Sequence, residues 1–175
     1  MLLGTLSDLF ERGLEFAYDC EQQLLQELPK MELAAVSAEL KGAFGQQLDA
    51  ARQHLERLEQ IFAKLERVAT AEHKDDPIRA ITSETETMIS HIDQSALLDA
   101  ALIVMGKQLA HYKIALYGSL GSFARVLNLA DPAALLEQTL TEETAAEQRL
   151  NQIAETSVNR DAVAVRNTPH MLTLL

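Results

Sequence analysis

The sequence has little of several residue types, and each shortage excludes a class of protein. Trp is absent and aromatic residues make up only 5% of the 175 residues, so aliphatic side chains must form most of any core. The single cysteine, Cys20, excludes an intrachain disulfide and favours a reducing compartment. No apolar run approaches the roughly 20 residues of a membrane span, and the amphipathic N-terminal residues do not resemble a signal peptide. We therefore expect a cytoplasmic protein.

Positive charge is also scarce. Lys and Arg number 15 against 26 Asp and Glu, which gives a formal net charge of −11. Such a surface would repel a phosphate backbone and an anionic membrane, so we predict neither nucleic acid nor a membrane as a partner. An acidic balance suits cation binding, although it is more often only a solvated surface.

Proline and glycine are few, with four and seven residues, and most of them lie between periodic segments. Apolar residues recur at intervals of three and four in four long segments and one shorter one, which is the pattern of amphipathic helices. No segment shows the alternation of a strand. The sequence therefore predicts a single all-α domain, a four-helix bundle with an additional short helix between the second and third long helices.

Capping residues and prolines mark the predicted boundaries. The helices should begin at the caps Thr5, Ser37, Asp76, Ser95 and Asp131. Pro29 can bend or end the first helix, and the second should end near Val68. Residues 1–156 would form the bundle. Residues 157–175 would form a tail, extended or docked on a partner subunit through its apolar end, 171–175.

Two glutamates are predicted to point into the bundle. Glu21 has apolar neighbours at helical offsets on the first helix, and Glu143 has them on the fourth. A buried carboxylate is costly unless it meets a cation, a metal or a proton. Both side chains are therefore candidate metal ligands, although each can also reach water or a basic residue at the edge of the helix.

Two histidines border the apolar stripes of the other long helices, and the stripe predicted for the third runs through Leu109, Tyr112 and Leu116. His54 lies on the second and His111 on the third, and imidazole is a common ligand for iron, zinc and manganese. A ferritin-type di-metal bundle, however, uses two Glu-x-x-His units and two further glutamates. No histidine of this chain has a carboxylate three residues before it. Asp49 and Glu147 are secondary candidate ligands.

Several motifs together resemble one known family. They are Tyr18-Asp19-Cys20-Glu21-Gln22-Gln23-Leu24, Leu28-Pro29-Lys30-Met31, His54-Leu55-Glu56-Arg57-Leu58-Glu59, His111-Tyr112-Lys113-Ile114-Ala115 and Leu135-Leu136-Glu137-Gln138-Thr139-Leu140. In this order they resemble the YciE/YciF-type ferritin-like proteins, a bacterial family linked to stress responses. The resemblance implies a ferritin-like bundle, a homodimer, and a di-metal site. Glu21 and Glu143 would be its carboxylate ligands, and His54 and His111 its imidazole ligands or their supporting groups.

The sequence departs from the family pattern at acidic positions. Members commonly carry a glutamate just before the third-helix histidine and another two residues after it, where this chain has Ala110 and Lys113. An early acidic position of the first helix is matched by Gly13. Two divalent ions close together need several carboxylates to offset their repulsion. We therefore expect a lost or weakened site, in which Lys113 can form a salt bridge with one of the glutamates.

Three functions follow, in order of preference. The first is a stress-associated ferritin-like bundle without a cofactor or catalytic activity, in a structural or binding role. The second is a di-iron or di-manganese carboxylate protein with oxidase or peroxide-consuming activity. Its ligands would be drawn from Glu21, Asp49, His54, His111, Glu143 and Glu147. The third is a protein-interaction bundle without a metal, which would use small residues of the third long helix or the apolar tail.

Overall fold

The computed structural model describes residues 3–165, which fold into six α-helices. They are α1 (Leu6–Ala34), α2 (Ala38–Lys64), α3 (Asp76–His91), α4 (Ala96–Val126), α5 (Ala130–Ile153) and α6 (Asn159–Ala164). A π-helical turn, Ala154–Val158, joins the last two. The predicted all-α bundle with a short helix between the second and third long helices is confirmed.

The four long helices pack as two pairs. α1 lies along α2 and α4 along α5, and the pairs meet through contacts of α2 with α5 and of α1 with α4. The short α3 covers the outside of α4 and α1. Within residues 3–165, no helix combines the length and apolarity needed to cross a membrane.

The capping predictions were partly correct. The Thr5 hydroxyl accepts from the Asp8 amide at 3.1 Å, while the Asp8 carboxylate accepts from the Thr5 amide at 2.9 Å. Ser37 caps α2. The predicted cap of α3 was one residue off, because Asp75 rather than Asp76 accepts from the Ile78 amide. The prediction of an Asp131 cap was wrong, because α5 begins after Leu129 without a side-chain cap.

Of the two alternatives predicted at Pro29, the helix end does not occur, because α1 passes through the proline and continues to Ala34. Two other boundaries differ from the sequence prediction. α2 ends at Lys64, four residues before Val68, and the chain turns at Glu66 with a φ of 57°. Helical structure continues past residue 157 through α6. The predicted docking segment, 171–175, lies outside the described residues.

The core consists of two apolar clusters at different heights along the bundle. One is built around Leu24, Leu28, Phe44, Leu102 and Leu150. The other is built around Phe10, Leu14, Leu58, Leu120 and Leu136. Between these clusters, α1, α2, α4 and α5 each bury polar or charged side chains, among them Glu21, His54, Lys113 and Glu143. This charged layer is where the candidate site lies.

Candidate functional site

Lys113 of α4 lies at the centre of the charged layer. Its Nζ is 2.7 Å from Glu143 Oε1 of α5 and 3.0 Å from Glu21 Oε1 of α1. A third neighbour, His54 Nδ1 of α2, is 3.4 Å away. The lysine is 4% exposed and Glu21 is fully buried. One ammonium group therefore links side chains from three other helices.

Glu21 has two further partners in this layer. The Tyr117 hydroxyl donates to its Oε1 at 2.7 Å, and His54 Nδ1 lies 3.2 Å from the same oxygen. Tyr117 follows Lys113 by four residues on α4, so both reach the same carboxylate from one face of the helix. These contacts satisfy a carboxylate that would be costly to bury alone.

The layer continues outward through His54. Its Nε2 lies 2.9 Å from Glu142 Oε2, and Arg57 donates to both oxygens of Glu142 at 2.6 and 2.8 Å. Arg57 also donates to Thr139 at 3.2 Å. The two-pronged contact is the strong geometry of an arginine–carboxylate pair. Glu142 is one-third exposed, so this end of the network reaches the surface.

The electrostatics of the layer keep Glu21 and Lys113 charged. Burial tends to raise the pKa of Glu21, but Lys113, His54 and Tyr117 outweigh it, so the pKa lies below its ordinary 4.5. Burial tends to lower the pKa of Lys113, but Glu143 and Glu21 outweigh it and raise the pKa above 10.5. Burial, reinforced by Glu21, raises the pKa of the Tyr117 hydroxyl well above 10. Tyr117 therefore remains a hydrogen-bond donor.

The structure brings together three of the predicted site residues and separates the others. Glu21, His54 and Glu143 meet at Lys113. The His111 side chain is 64% exposed and lies 3.5 Å from Glu147 at the surface. Asp49 is also at the surface, where its 70% exposed side chain pairs with Arg52.

Helix geometry explains the position of His111. Residues two apart on an α-helix point about 200° apart, so with Lys113 facing the interior His111 lies on the opposite side of α4. The predicted apolar stripe of α4 ran from Leu109 to Tyr112 and Leu116. The fully buried residues instead run from Leu109 to Lys113 and Tyr117. After Leu109, the buried positions therefore lie one residue later than the sequence predicted.

Sequence reasoning missed three groups of this network, Tyr117, Arg57 and Glu142. The available signal was spacing, because Tyr117 lies four residues after Lys113 and Arg57 three after His54, on shared helix faces. A salt bridge of Lys113 with one glutamate was expected, whereas the ammonium pairs with two.

A second buried polar cluster holds the loop before α3. The Tyr112 hydroxyl donates to both oxygens of Asp75 at 2.7 and 2.6 Å. The Asp75 amide donates to Asp19 at 2.9 Å, and Lys74 pairs with Asp19 at the same distance. These contacts fix the start of α3 against α1 and α4, which indicates a structural role.

The residues present do not fit a di-metal centre. Glu21 and Glu143 are the carboxylates that face each other in the layer, and the Lys113 ammonium lies between them. A third carboxylate, Glu142, is held by Arg57. Within residues 3–165, no group of three or more His, Cys, Asp or Glu side chains is arranged to hold a metal ion.

Gly13 of α1 occupies another position at which the family pattern has an acidic residue. A Cβ atom there would lie 2.6 Å from Leu120 Cδ2, which is far closer than atoms can pack. Leu120 is 1% exposed and fixed in the core. An acidic side chain at this position, as the family resemblance implies, would therefore require Leu120 to shift within the apolar packing.

Comparison with known proteins identifies the class to which this helical bundle belongs. The chain belongs to the family described as a domain of unknown function, DUF892, whose model matches residues 5–163. It is 30% identical over 162 residues to Protein YciF of Escherichia coli (strain K12), covering 93% of this chain and 98% of that protein. The resemblance to YciE/YciF-type proteins is therefore confirmed.

Solved structures agree with this assignment. The crystal structure of the E. coli stress protein YciF matches with a TM-score of 0.86 and 30% identity, over 90% of this chain and 99% of that one. YcfI of Rhodopseudomonas palustris, provisionally described as a structural protein, matches at 0.82 with 34% identity, over 86% and 96%.

A more distant structure shows the wider fold class. A dodecameric thioferritin, the bacterioferritin-related protein from Bacteroides fragilis, matches with a TM-score of 0.67 over 93% of both chains. At 14% identity, this match shows the fold alone. The fold is ferritin-like.

Proposed function

We propose that this protein is a non-catalytic, stress-associated ferritin-like bundle, in which a lysine ammonium takes the place of a di-metal centre and the role is structural or in binding. The observation that carries the proposal is the position of Lys113 Nζ, within 3.0 Å of both Glu21 and Glu143. These are the two glutamates that the family resemblance assigns to the metal.

The ammonium satisfies the charge that a metal would otherwise neutralise. The raised pKa of Lys113 keeps it protonated at neutral pH. A metal ion binding between Glu21 and Glu143 would have to displace this ammonium or lie beside it, with like charges a few ångströms apart. Either arrangement is unfavourable, which supports a role that does not depend on a metal.

The relatives support the structural and stress-associated parts of the proposal. The protein from R. palustris is described as structural, and the E. coli protein is described as a stress protein. The layer is built for rigidity, because its buried charges are paired and come from four different helices. It does not offer an open coordination position of the kind that catalytic metal sites keep.

Metal analysis tests the proposal directly. Protein purified without chelator, and again after incubation with ferrous iron and removal of excess metal, should contain far less than one metal ion per chain by mass spectrometry. Two tightly bound irons per chain would overturn it. Ferrous-iron oxidation that is lost in both Glu21→Ala and Glu143→Ala, measured on folded protein, would favour the di-metal oxidase instead.

The family resemblance also implies a homodimer, and we include this in the proposal. Size-exclusion chromatography with light scattering should give twice the chain mass across a range of concentrations. A monomer at every concentration would remove the dimer from the proposal and leave the charged layer unaffected.

A further inference from the structure

A groove opens on the outside of the charged layer, between α2 and α5. Its volume is about 270 Å³, near the lower end of small-molecule sites. Ala43 and Ala50 of α2 and Ala145 and Ala146 of α5 contribute its apolar walls, and Glu143 also lines it. The groove therefore reaches the carboxylate that holds Lys113.

Glu143 presents a free acceptor to this groove. The residue is only 6% exposed, and its Oε1 accepts from Lys113. Its Oε2 accepts no hydrogen bond from any residue between 3 and 165. This oxygen is not fully enclosed by the protein. This oxygen of a largely buried residue is thus left for a donor that enters through the groove.

The charges of the layer indicate which charge the donating group of a ligand should carry. Three carboxylates belong to the network, those of Glu21, Glu142 and Glu143. Two permanent cations face them, Lys113 and Arg57, so the carboxylates of the network outnumber its permanent cations by one. In a partly buried site, one further positive charge is favoured over a neutral or negative group.

We propose that this groove binds a short primary aliphatic amine, whose ammonium donates to Glu143 Oε2 and whose alkyl chain packs on the alanine walls. The inference rests on the proposed function, because it requires Lys113 rather than a metal in the layer. Gln46, Gln47, Glu142 and Arg149 complete the lining. A divalent ion fits less well, since Lys113 lies on the other oxygen of Glu143 and Arg57 donates to both oxygens of Glu142. Arg149 pairs with Glu39 at 3.7 Å.

Titration with three isosteric probes tests the ligand class. Butylammonium, 1-butanol and butyrate would be added to the full chain at neutral pH, and binding followed by calorimetry and by the methyl signals of Ala50 and Ala146. Butylammonium should bind saturably, butanol at least tenfold more weakly, and butyrate not at all. Equal binding of all three, or no saturable binding of the amine, would overturn the inference.

Groove-filling variants test the location. Ala50→Leu and Ala146→Leu each place a larger side chain in the groove without removing a charged group, so each should weaken butylammonium binding at least tenfold. Ala63→Leu, at an exposed position of the same α2 helix, is the matched control and should leave binding unchanged. Unchanged affinity in both groove variants would overturn the location.

The metal analysis separates failure of this inference from failure of the proposed function. If the protein contains no metal and does not bind butylammonium, only the proposed amine site is overturned. Protein that holds two irons per chain overturns the proposed function whatever the amine does.

Discussion

Lys113 and Glu143 face each other across α4 and α5, with Nζ 2.7 Å from Oε1 and side chains only 5% and 7% exposed. A buried ion pair of this kind adds little net stability compared with apolar packing, because both charges must lose water. Removing one partner is different, since the other charge remains buried without compensation.

Lys113→Met should therefore be strongly destabilising. It leaves Glu21 and Glu143 facing each other without a cation, and we expect a loss of about 3–5 kcal/mol in the free energy of unfolding, measured by urea titration. Adding Glu21→Gln and Glu143→Gln to this variant should recover part of the loss, because the buried charges are then gone.

The matched control is Lys107→Met on the same helix. Lys107 is one-third exposed, donates to Asn151 and lies 3.8 Å from Glu147, so its loss should cost no more than about 1 kcal/mol, well below the cost of Lys113→Met. Similar losses for Lys113→Met and Lys107→Met would contradict the account of the charged layer.

Lys113→Glu should turn the layer into a metal site. The new carboxylate would join Glu21, Glu143 and His54, which supplies the oxygen and nitrogen ligands that divalent ions need. Without metal the variant should be less stable than the natural chain. Added Mn²⁺ should raise its melting temperature through binding to the folded state and leave that of the natural chain unchanged.

Arg125→Glu, at an exposed position of the same helix, is the control for non-specific binding of Mn²⁺ to an acidic surface. It adds the same charge outside the layer, so the metal should not raise its melting temperature. An equal rise in Arg125→Glu, or none in Lys113→Glu, would show that position 113 does not determine metal binding.

The sequence was sufficient for the fold because the periodic apolar residues and short connections favour a single arrangement of long helices. It also placed Glu21 and Glu143 in the interior, since each has apolar residues one turn before and after it. Glu143 is in fact 6% exposed and Glu21 fully buried. On α1 and α5, the apolar neighbours along the helix were therefore sufficient to predict that these glutamates are buried.

The same reasoning failed on α4, where apolar residues occur on several faces. Tyr112 and Leu116 looked like the inner stripe, but the interior is lined by Lys113 and Tyr117. A lysine is rarely buried unless paired, so pattern alone assigns it to the surface. Its position depends on carboxylates that other helices supply, which periodicity on one helix cannot reveal.

Glu142 should contribute to the acid sensitivity of the fold. Burial tends to raise its pKa, but Arg57, His54 and Gln138 outweigh it and lower the pKa from 4.5 to about 2. A carboxyl group whose pKa is lower in the folded state stabilises the fold above its unfolded pKa. The contribution should therefore disappear as the pH falls from about 4.5 to about 2.

Glu142→Gln should flatten the pH dependence of stability in this window, as measured by urea midpoints between about pH 6 and about pH 2. Glu137→Gln is the control, because Glu137 lies on the same helix and makes an exposed pair with Arg125. Its profile should follow that of the natural chain. A Glu142→Gln profile parallel to the natural one would contradict the assigned role.

Tyr112→Phe should loosen the start of α3. The hydroxyl donates to both oxygens of Asp75, which is 1% exposed and caps this helix, so its loss leaves a buried carboxylate short of donors. We expect a loss of about 1–3 kcal/mol at neutral pH and faster hydrogen exchange at the Ile78 amide. Tyr18→Phe, which removes an exposed contact with Glu59, should cost no more than about 0.5 kcal/mol.

The pH dependence of this effect separates a hydrogen-bonding role for Tyr112 from a packing role. Burial raises the pKa of Asp75, while the hydrogen bond from Tyr112 acts to lower it. Without that donor the pKa should rise further, and protonation then relieves the buried charge. The cost of Tyr112→Phe should accordingly shrink as the pH is lowered toward 4, whereas a cost that is the same at every pH would indicate that the ring only fills space.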